Sequence, residues 1–251
     1  ALPALRALYR NSNHSSSSSS TSSEMNIMPT ELRRMAAATV AAGGERQDRE
    51  SGVSSPAGPR DESGLSMVLC RSAPTLLGST SQPATVLSAE ALMRLRAELP
   101  LRFNLCAWCL LFSTDQHGCS LRTLYNRVEG RDGTLLVVLD GQGQIFGAFV
   151  SEPWQPSFIG QRAYFGNGET FVYRVDQSED TAITYGWTRQ NHHFVLADVA
   201  SVSFGSYPAA IYLDSSLEYG SCGASSTFDN ERLCGTANFK CIKVEVWGFQ
   251  H

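Results

Sequence analysis

Two parts of the chain differ in how their apolar residues are arranged. Up to Pro83 the sequence is dominated by Ser, Ala, Gly, Pro and Arg without a sustained apolar period, and short apolar runs separated by turn signals follow. A Ser-rich segment such as 15–20 cannot bury enough surface to offset the entropy that ordering costs. We therefore predict a disordered tail over residues 1–85 and one folded domain over residues 86–251.

Two short helices are predicted near the start of the domain. Ser88 can cap the first, which Pro100 ends, and Ser120 can cap the second. The apolar residues at helical spacing are Leu92, Leu95 and Leu99 in the first helix and Leu121, Leu124, Tyr125 and Val128 in the second.

The rest of the domain has the pattern of short strands. The clearest signal is a hairpin around Asp140-Gly141-Gln142-Gly143, whose glycines suit a turn with positive φ. The predicted strands are 106–112, 135–139, 144–150, 170–175, 193–198, 199–204, 209–213 and 239–247. Strands do not alternate with long helical segments, so we predict a mainly β (α+β) fold. It is an antiparallel β-sandwich with a few peripheral short helices.

Charge and hydropathy exclude two classes of protein. Residues 86–251 carry 12 basic and 17 acidic side chains, and Lys240 and Lys243 are the only lysines of the chain. An acidic domain without a concentrated basic face is unsuited to a phosphate backbone, so we expect no nucleic-acid partner. No apolar stretch approaches the roughly 18–20 residues of a membrane span, so we expect no integral membrane segment.

The seven cysteines do not suggest a disulfide framework. Their number is odd, and most lie in apolar runs where Cys behaves as a small hydrophobic residue, as expected in a reducing compartment. Cys106 and Cys109 form a CxxC, but residues three apart in a strand point to opposite faces, which disfavours a zinc or redox pair. Cys119 and Cys222, near Gly-rich turns, are the cysteines we expect to be exposed.

Other candidate chemistry has a simpler structural interpretation. His117 lies in a turn, where we expect it to hydrogen-bond locally. The adjacent His192 and His193 diverge and lack a completing ligand set, so neither a metal nor a cofactor is predicted. Glu152, Glu169, Glu218 and Glu245 are scattered carboxylates. Two of them could converge as an acid–base pair, and sequence alone leaves that hydrolytic alternative open.

A succession of short motifs runs through residues 108–249. In order they are Trp108 with Leu110 and Phe112-Ser113; His117-Gly118-x-Ser120-Leu121 and Leu124-Tyr125; Asp140-x-x-Gly143-x-x-Phe146-Gly147-Ala148-Phe149-x-Ser151-Glu152; Phe165-Gly166-x-Gly168-Glu169 with Phe171; Trp187 with Asn191; Phe204-Gly205 and Leu213-Asp214; Gly220-Ser221 and Thr227-Phe228-x-Asn230; and Glu245-Val246-Trp247-Gly248-Phe249. No motif is specific by itself, but their order and spacing resemble those of the TLDc domain. This module is shared by oxidation-resistance proteins and certain nuclear-receptor coactivators.

The resemblance implies a β-sandwich with flanking helices. No enzymatic reaction is accepted for the family, so it implies a role other than catalysis. It implies resistance to oxidative stress and binding to peripheral-sector subunits of the vacuolar proton-pumping ATPase (V-ATPase), whose assembly such proteins modulate. On that basis we expect a cytoplasmic protein that can be recruited to acidic-organelle membranes. The Arg-rich, Ser-rich and acid-poor residues 1–23 also have the composition of a mitochondrial targeting segment, which stays open as an alternative.

The resemblance also supplies candidate interaction or structural residues. They are Gly118, Gly147, Glu152, Gly168, Glu169, Gly205, Asp214, Glu245 and Gly248. Glycines at turns and strand exits would set the shape of docking loops, and Glu152, Glu169 and Asp214 would supply an acidic rim. After Gly205 the chain has Ser206-Tyr207-Pro208 where the family usually has more glycine, so the shape of that loop stays open. The alternative function is a weak hydrolase or an antioxidant enzyme with converging glutamates or a reactive cysteine.

Overall fold

The computed structural model describes residues 72–157 and 163–250. The Ser-rich segment, the targeting-like residues 1–23 and Cys70 lie outside the described residues. Residues 72–85, which the predicted tail includes, contain a two-residue strand and a buried side chain, Thr85. No helix in the described ranges is long and apolar enough to cross a membrane.

The described residues form three α-helices, one 3-10 turn and twelve strands. The helices are α1 (Ala89–Glu98), α2 (Thr114–His117) and α3 (Leu121–Val128), and the 3-10 turn is Leu101–Phe103. The strands are β1 (Leu76–Leu77), β2 (Ala107–Ser113), β3 (Thr134–Asp140), β4 (Ile145–Val150), β5 (Tyr164–Phe165), β6 (Phe171–Asp176), β7 (Thr181–Tyr185), β8 (Val195–Ala197), β9 (Ser201–Phe204), β10 (Ile211–Asp214), β11 (Tyr219–Ser221) and β12 (Asn238–Gln250).

The strands build two sheets that share one long strand. The first sheet has the order β1-β2-β12-β3-β4-β6-β7, and the second has the order β5-β8-β9-β10-β11-β12. The N-terminal end of β12 pairs with β11, and its remainder pairs with β2 and β3. Neighbouring strands are antiparallel, except that β1 pairs with β2 in parallel. The predicted antiparallel β-sandwich with few short helices is therefore confirmed.

Two hydrophobic clusters lie on opposite faces of the first sheet. One is enclosed by the two sheets and α3, with Phe146 from the first sheet, Phe204 from the second and Leu124 from the helix. The other covers the opposite face with α1 and the 3-10 turn, and Trp108 and Trp247 are both completely buried in it. Burial of both faces explains why β3 and β4 are nearly continuous apolar runs rather than alternating ones.

Predicted and observed elements agree closely at the helices. Ser88 and Ser120 cap α1 and α3 as expected, each accepting a hydrogen bond from the backbone N–H three residues later. His117, which was expected in a turn, ends a short helix, α2, directly after β2. In the β3–β4 turn Gly143 has a φ of 81°, but Gly141 does not have positive φ, so the expectation for that residue was wrong.

Gly147 in β4 makes space for a hydrogen bond that crosses the sheet. The Tyr173 hydroxyl donates to the Leu136 carbonyl oxygen at 2.9 Å, and Tyr173 is completely buried. A Cβ atom on Gly147 would lie 1.9 Å from that same oxygen and 2.7 Å from the hydroxyl. Glycine is therefore required here by close approach of neighbouring groups, as its position inside a strand suggests.

Glu245 lies in the middle of β12, almost fully buried on the side that α1 covers. Its Oε2 accepts hydrogen bonds from Thr85 Oγ1 at 2.6 Å and from Trp247 Nε1 at 3.0 Å. Lys243 Nζ lies 3.2 Å from Oε1 and also 2.8 Å from the exposed Asp115 carboxylate. Burial alone would lower the pKa of Lys243, but the hydrogen bond to Asp115 and the charge of Glu245 together raise it. Glu245 thus ties residues 72–85 to the central strand.

We expect Gly147→Ala to destabilise the domain by about 1–3 kcal/mol, because the added methyl group clashes with the backbone of β3. Gly186→Ala is the matched control, since a Cβ there meets no atom within 4 Å. Urea unfolding followed by tryptophan fluorescence measures both. Equal stability of the two variants would contradict the close-approach explanation.

We expect Glu245→Gln to lower the free energy of unfolding by about 1–3 kcal/mol, because Lys243 loses its buried anionic partner. Asp115→Asn removes the exposed partner of the same lysine and is expected to cost less than about 1 kcal/mol. Thermal and urea unfolding of the two variants give the comparison. A larger loss for Asp115→Asn would show that the buried network is not the stabilising part.

Candidate interaction site

Glu152 and Asn167 together shape the turn that precedes β6. Glu152 Oε2 accepts from the Gly166 backbone N–H at 3.2 Å, and Oε1 accepts from Asn167 Nδ2 at 3.1 Å. Asn167 Oδ1 in turn accepts from the Glu169 backbone N–H at 3.0 Å. The candidates Glu152, Gly168 and Glu169 therefore belong to one structural unit, in which Glu152 supports the backbone of the others.

Glu169 is paired with Arg102 of the 3-10 turn. Arg102 Nη1 donates to Glu169 Oε1 at 2.8 Å, and Nη2 bonds the other carboxylate oxygen. These hydrogen bonds from Arg102 hold the pKa of the Glu169 carboxyl below its usual range. Glu169 and Glu98 both line a cavity of about 340 Å³, but Glu98 is paired with Arg94 at 2.9 Å. An ionised carboxylate held by arginine is a poor general acid, which weakens the hydrolase alternative at this cavity.

Gly168 closes the same turn by close packing. A Cβ atom there would lie 2.5 Å from the indole ring of Trp187. Trp187 Nε1 donates to the Asn191 carbonyl oxygen at 2.6 Å, so the indole is fixed by the following loop. The two motif residues Trp187 and Asn191 therefore belong to the packing that requires glycine at position 168.

A cluster of hydroxyl groups holds the loop after β9. Gly205 has a φ of 90°, and a Cβ there would lie 2.4 Å from Ser225 Oγ. Ser206 Oγ lies 3.1 Å from Ser225 Oγ, and the Ser206 backbone N–H donates to Thr227 Oγ1 at 2.9 Å. The next residue, Tyr207, is 97% exposed. Serine at position 206 thus anchors the loop where the family usually continues with glycine.

The other candidate residues lie in separate places. Gly118 ends α2 with a φ of 76°, and a Cβ there would meet no atom within 4 Å. Glycine is therefore favoured at this position by the backbone conformation and not by close packing. Asp214 accepts from Ser216 Oγ and from the Glu218 backbone N–H in the β10–β11 turn. A Cβ on Gly248 would lie 2.9 Å from Leu111. The nine candidate residues therefore do not form one site.

His117 forms a local hydrogen bond as expected, and the adjacent His192 and His193 contact different aromatic rings. His117 Nδ1 accepts from the Ser113 backbone N–H at 3.0 Å, and burial followed by the Arg127 charge lowers its pKa. His192 lies against Trp187, with ring centroids 5.1 Å apart, and His193 stacks on Tyr164 at 4.4 Å. Within residues 72–157 and 163–250, no three His, Cys, Asp or Glu side chains are placed to hold a metal ion.

The exposure of the cysteines differs from the prediction at one position. Cys119 is exposed as expected, but Cys222 is only 5% exposed. The expectation for Cys222 was wrong because the residue continues the β11–β12 pairing, with its N–H donating to the Ala237 carbonyl oxygen at 2.9 Å. Cys106 packs in the cluster beneath α1 and Cys109 is half-buried.

The outer face of the second sheet carries exposed apolar side chains that sequence reasoning missed. Tyr212 on β10, Tyr219 on β11 and Ile242 on β12 are 38%, 56% and 57% exposed. Tyr212 lies opposite Ser221, and Tyr219 lies opposite Lys240. We call Tyr212, Tyr219, Lys240 and Ile242 the tyrosine face. Part of this face could have been predicted, because Tyr212 lies between the buried Ile211 and Leu213 and therefore points to the opposite side of β10. Tyr219 could not be placed beside it, because β11 was not predicted as a strand.

Comparison with known proteins agrees with the motif order. The family model of the TLDc domain matches residues 80–250. "Oxidation resistance protein 1" of Cryptococcus neoformans is 35% identical over 190 residues, which cover 69% of this chain and 40% of that protein. The proteins of the same name from Bos taurus and Homo sapiens are each 34% identical over 173 residues, covering 68% of this chain and 19% of theirs.

The chain thus spans less than half the length of these relatives. The family match covers the three helices, every described strand except β1, Gly147 and the loops after β5 and β9. On these grounds the chain belongs to the TLDc domain family.

Proposed function

We propose that the domain is a non-enzymatic interaction module that binds peripheral-sector subunits of the V-ATPase, modulates assembly of the pump and supports resistance to oxidative stress. The observation that carries the proposal is the tyrosine face, an exposed sheet surface with aromatic and aliphatic side chains in adjacent strands. Contiguous apolar surface on a soluble domain marks an interaction site, and Tyr is enriched at the centres of interfaces.

Family membership supports the oxidative-stress part of the proposal. The relatives named above are oxidation resistance proteins. The TLDc family model matches residues 80–250 of this chain, which are the folded domain. Candidate catalytic groups in the domain are engaged in local contacts: Glu152 holds a turn, Glu169 pairs with Arg102, and His117 accepts from its own turn. These contacts favour a binding role over hydrolysis.

Charge around the tyrosine face suits a partner with basic surface. Asp214 ends β10, and Glu218, in the turn that follows, directly precedes Tyr219. Lys240 is the one basic side chain among the four residues that define the face. Acidic groups at the rim of an apolar centre would steer association with a basic patch of the peripheral sector. They would act mainly on the association rate.

We expect Tyr219→Ala with Ile242→Ser to weaken capture of peripheral-sector subunits at least about 10-fold, because both side chains lie on the tyrosine face. The tagged full chain is incubated with lysate in which the pump has been disassembled, and recovered subunits are quantified by immunoblot. Cosedimentation of the peripheral with the membrane sector then reports any effect on assembly.

The matched control is Leu101→Ser with Leu105→Ser, since these leucines are 76% and 72% exposed and lie around the 3-10 turn instead. The control is expected to bind as the unmodified chain does. Survival of peroxide-treated cells that express each form tests the stress role separately. If the folded chain recovers no pump subunit yet protects cells, the pump-binding part fails while the stress role stands.

A further inference from the structure

Arg96 is a cation buried near the C-terminal end of α1, with 9% of the residue exposed. Its guanidinium donates to two backbone carbonyl oxygens, from Nε to that of Asn104 and from Nη1 to that of Ser72 at 3.0 Å. A guanidinium has five N–H donors, so these bonds leave others available. Within residues 72–157 and 163–250, Nη2 donates to no group, and no carboxylate is paired with Arg96.

The exposed arginines before and after Arg96 in the sequence both have carboxylate partners. Arg94 is paired with Glu98 at 2.9 Å, and Arg102 is paired with Glu169. Removing a cation from water is costly unless an anion compensates its charge, so the buried arginine would gain most from a partner. The carbonyl oxygens that it contacts and the C-terminal end of α1 offer only partial negative charge.

The Cys106 thiol, which is close enough to feel the charge of Arg96, does not supply the missing anion. Burial raises the pKa of this thiol, and the Arg96 charge offsets the rise only in part. The thiol is therefore neutral near pH 7, and its Sγ lies 3.4 Å from the Arg102 carbonyl oxygen, to which it can donate. The described part of the chain thus leaves Arg96 without an anion in contact.

Arg96 lines a cavity of about 470 Å³ where β1, the start of β2 and the end of β12 meet. Thr75 and Gln250 bring a hydroxyl and an amide side chain to its lining. Leu77 and Leu105 bring apolar side chains, and these residues are 42% and 72% exposed. The volume falls in the range of small-molecule sites, and a fixed cation with a few polar groups would orient a ligand there.

We propose that this cavity, which we call the carboxylate pocket, binds a short-chain organic monocarboxylate through Arg96. Arg96 donates to the carboxylate oxygens, because the planar fork of a guanidinium matches their geometry. One guanidinium compensates one negative charge, so a monocarboxylate suits the pocket better than a phosphate dianion, which an acidic domain repels. The aliphatic chain of the ligand lies against Leu77 and Leu105.

A free short-chain acid and the C-terminal residue of a peptide carry the same carboxylate, and the test separates these two sources. Either would add the anion that Arg96 lacks, and a ligand that binds only the folded chain stabilises it. The carboxylate pocket lies beside β1 and β2 of the first sheet, whereas the tyrosine face lies on the second sheet. The proposal therefore does not depend on pump binding.

The test is a titration of the isotope-labelled full chain, followed by two-dimensional amide NMR. The probes are hexanoate, N-acetyl-leucine as a peptide C-terminus, hexanamide as an uncharged analogue of hexanoate, and inorganic phosphate. We expect at least one of the two carboxylates to shift the amide signals of Leu77, Leu105 and Ala107, with a dissociation constant of about 1 mM or tighter. Hexanamide should bind at least about 10-fold more weakly, because it carries no charge for Arg96. The carboxylate that binds more tightly identifies the source.

The titration of the unmodified chain decides the proposal even if a variant does not fold. Pocket signals that stay unchanged with both carboxylates, or that shift as strongly with hexanamide, would overturn it. Phosphate that binds at the same amides as tightly as the carboxylates would also overturn it, because the site would then select for charge alone.

Arg96→Lys tests the arginine itself. The variant keeps the charge but loses the planar fork, so the carboxylate should bind at least about 10-fold more weakly. Arg96 also holds the Asn104 and Ser72 carbonyl oxygens, so thermal unfolding first shows whether the variant is folded. Arg94→Lys is the matched control, because Arg94 is exposed on the same helix and pairs with Glu98. A folded Arg96→Lys chain with unchanged affinity would contradict the role of Arg96.

Leu105→Ser tests the apolar part of the pocket and leaves the arginine in place. It should weaken carboxylate binding by roughly 3-fold or more, because the aliphatic chain of the ligand loses apolar contact. Leu101→Ser is its control, since Leu101 is 76% exposed and lies in the 3-10 turn instead. Equal affinities of these two variants would show that the aliphatic chain does not lie against Leu105.

Discussion

Backbone pairing along β12 holds the two sheets in one molecule. Asn238–Lys240 pairs with β11 in the second sheet. In the first sheet, the pairing with β3 begins at Cys241 and that with β2 at Glu245. The register shifts between Cys241 and Lys243, as at a β-bulge, and bulges bend a strand and increase its twist. That bend lets one strand pass from one sheet to the other and encloses the cluster that contains Phe146 and Phe204. The turns that carry the candidate residues are held by strands of these two sheets.

Much of this fold was predictable from local pattern, because its strongest signals are local. The Ser88 and Ser120 caps and the β3–β4 hairpin each depend on residues close together in sequence. The strands β7 and β11 were missed although β6 and β10, which precede them, pair with them. β7 is an edge strand with one buried residue, and β11 has three residues, so neither has a run of alternating apolar residues. Periodicity indicates which residues are buried, but it does not specify which strands are neighbours.

The candidate site was less predictable, since the role of each residue depends on contacts across the fold. Gly147 is required by the Leu136 carbonyl oxygen and the Tyr173 hydroxyl, and a glycine at position 168 is required by the Trp187 ring. Sequence spacing identifies none of these partners. Glu245 has the character of a surface carboxylate in the sequence but lies buried against Thr85 and Trp247. Cys222 likewise lies buried because its backbone pairs with Ala237 before β12, whereas its place near Gly-rich turns suggested that it was exposed.

The position of β12 has a consequence for how the domain forms during synthesis. Of the described strands it is made last, yet it lies between β2 and β3 in the first sheet and completes the second beside β11. Before it leaves the ribosome, the facing edges of β2 and β3 lack their partner, and apolar surface of both sheets is uncovered. The first sheet can therefore be completed only after β12 has been made and has paired with strands far from it in sequence. Such pairing makes folding slow, and meanwhile the nascent chain is exposed to aggregation or to chaperone binding. Substitutions that weaken β12 should act first on the yield of folded protein in the cell.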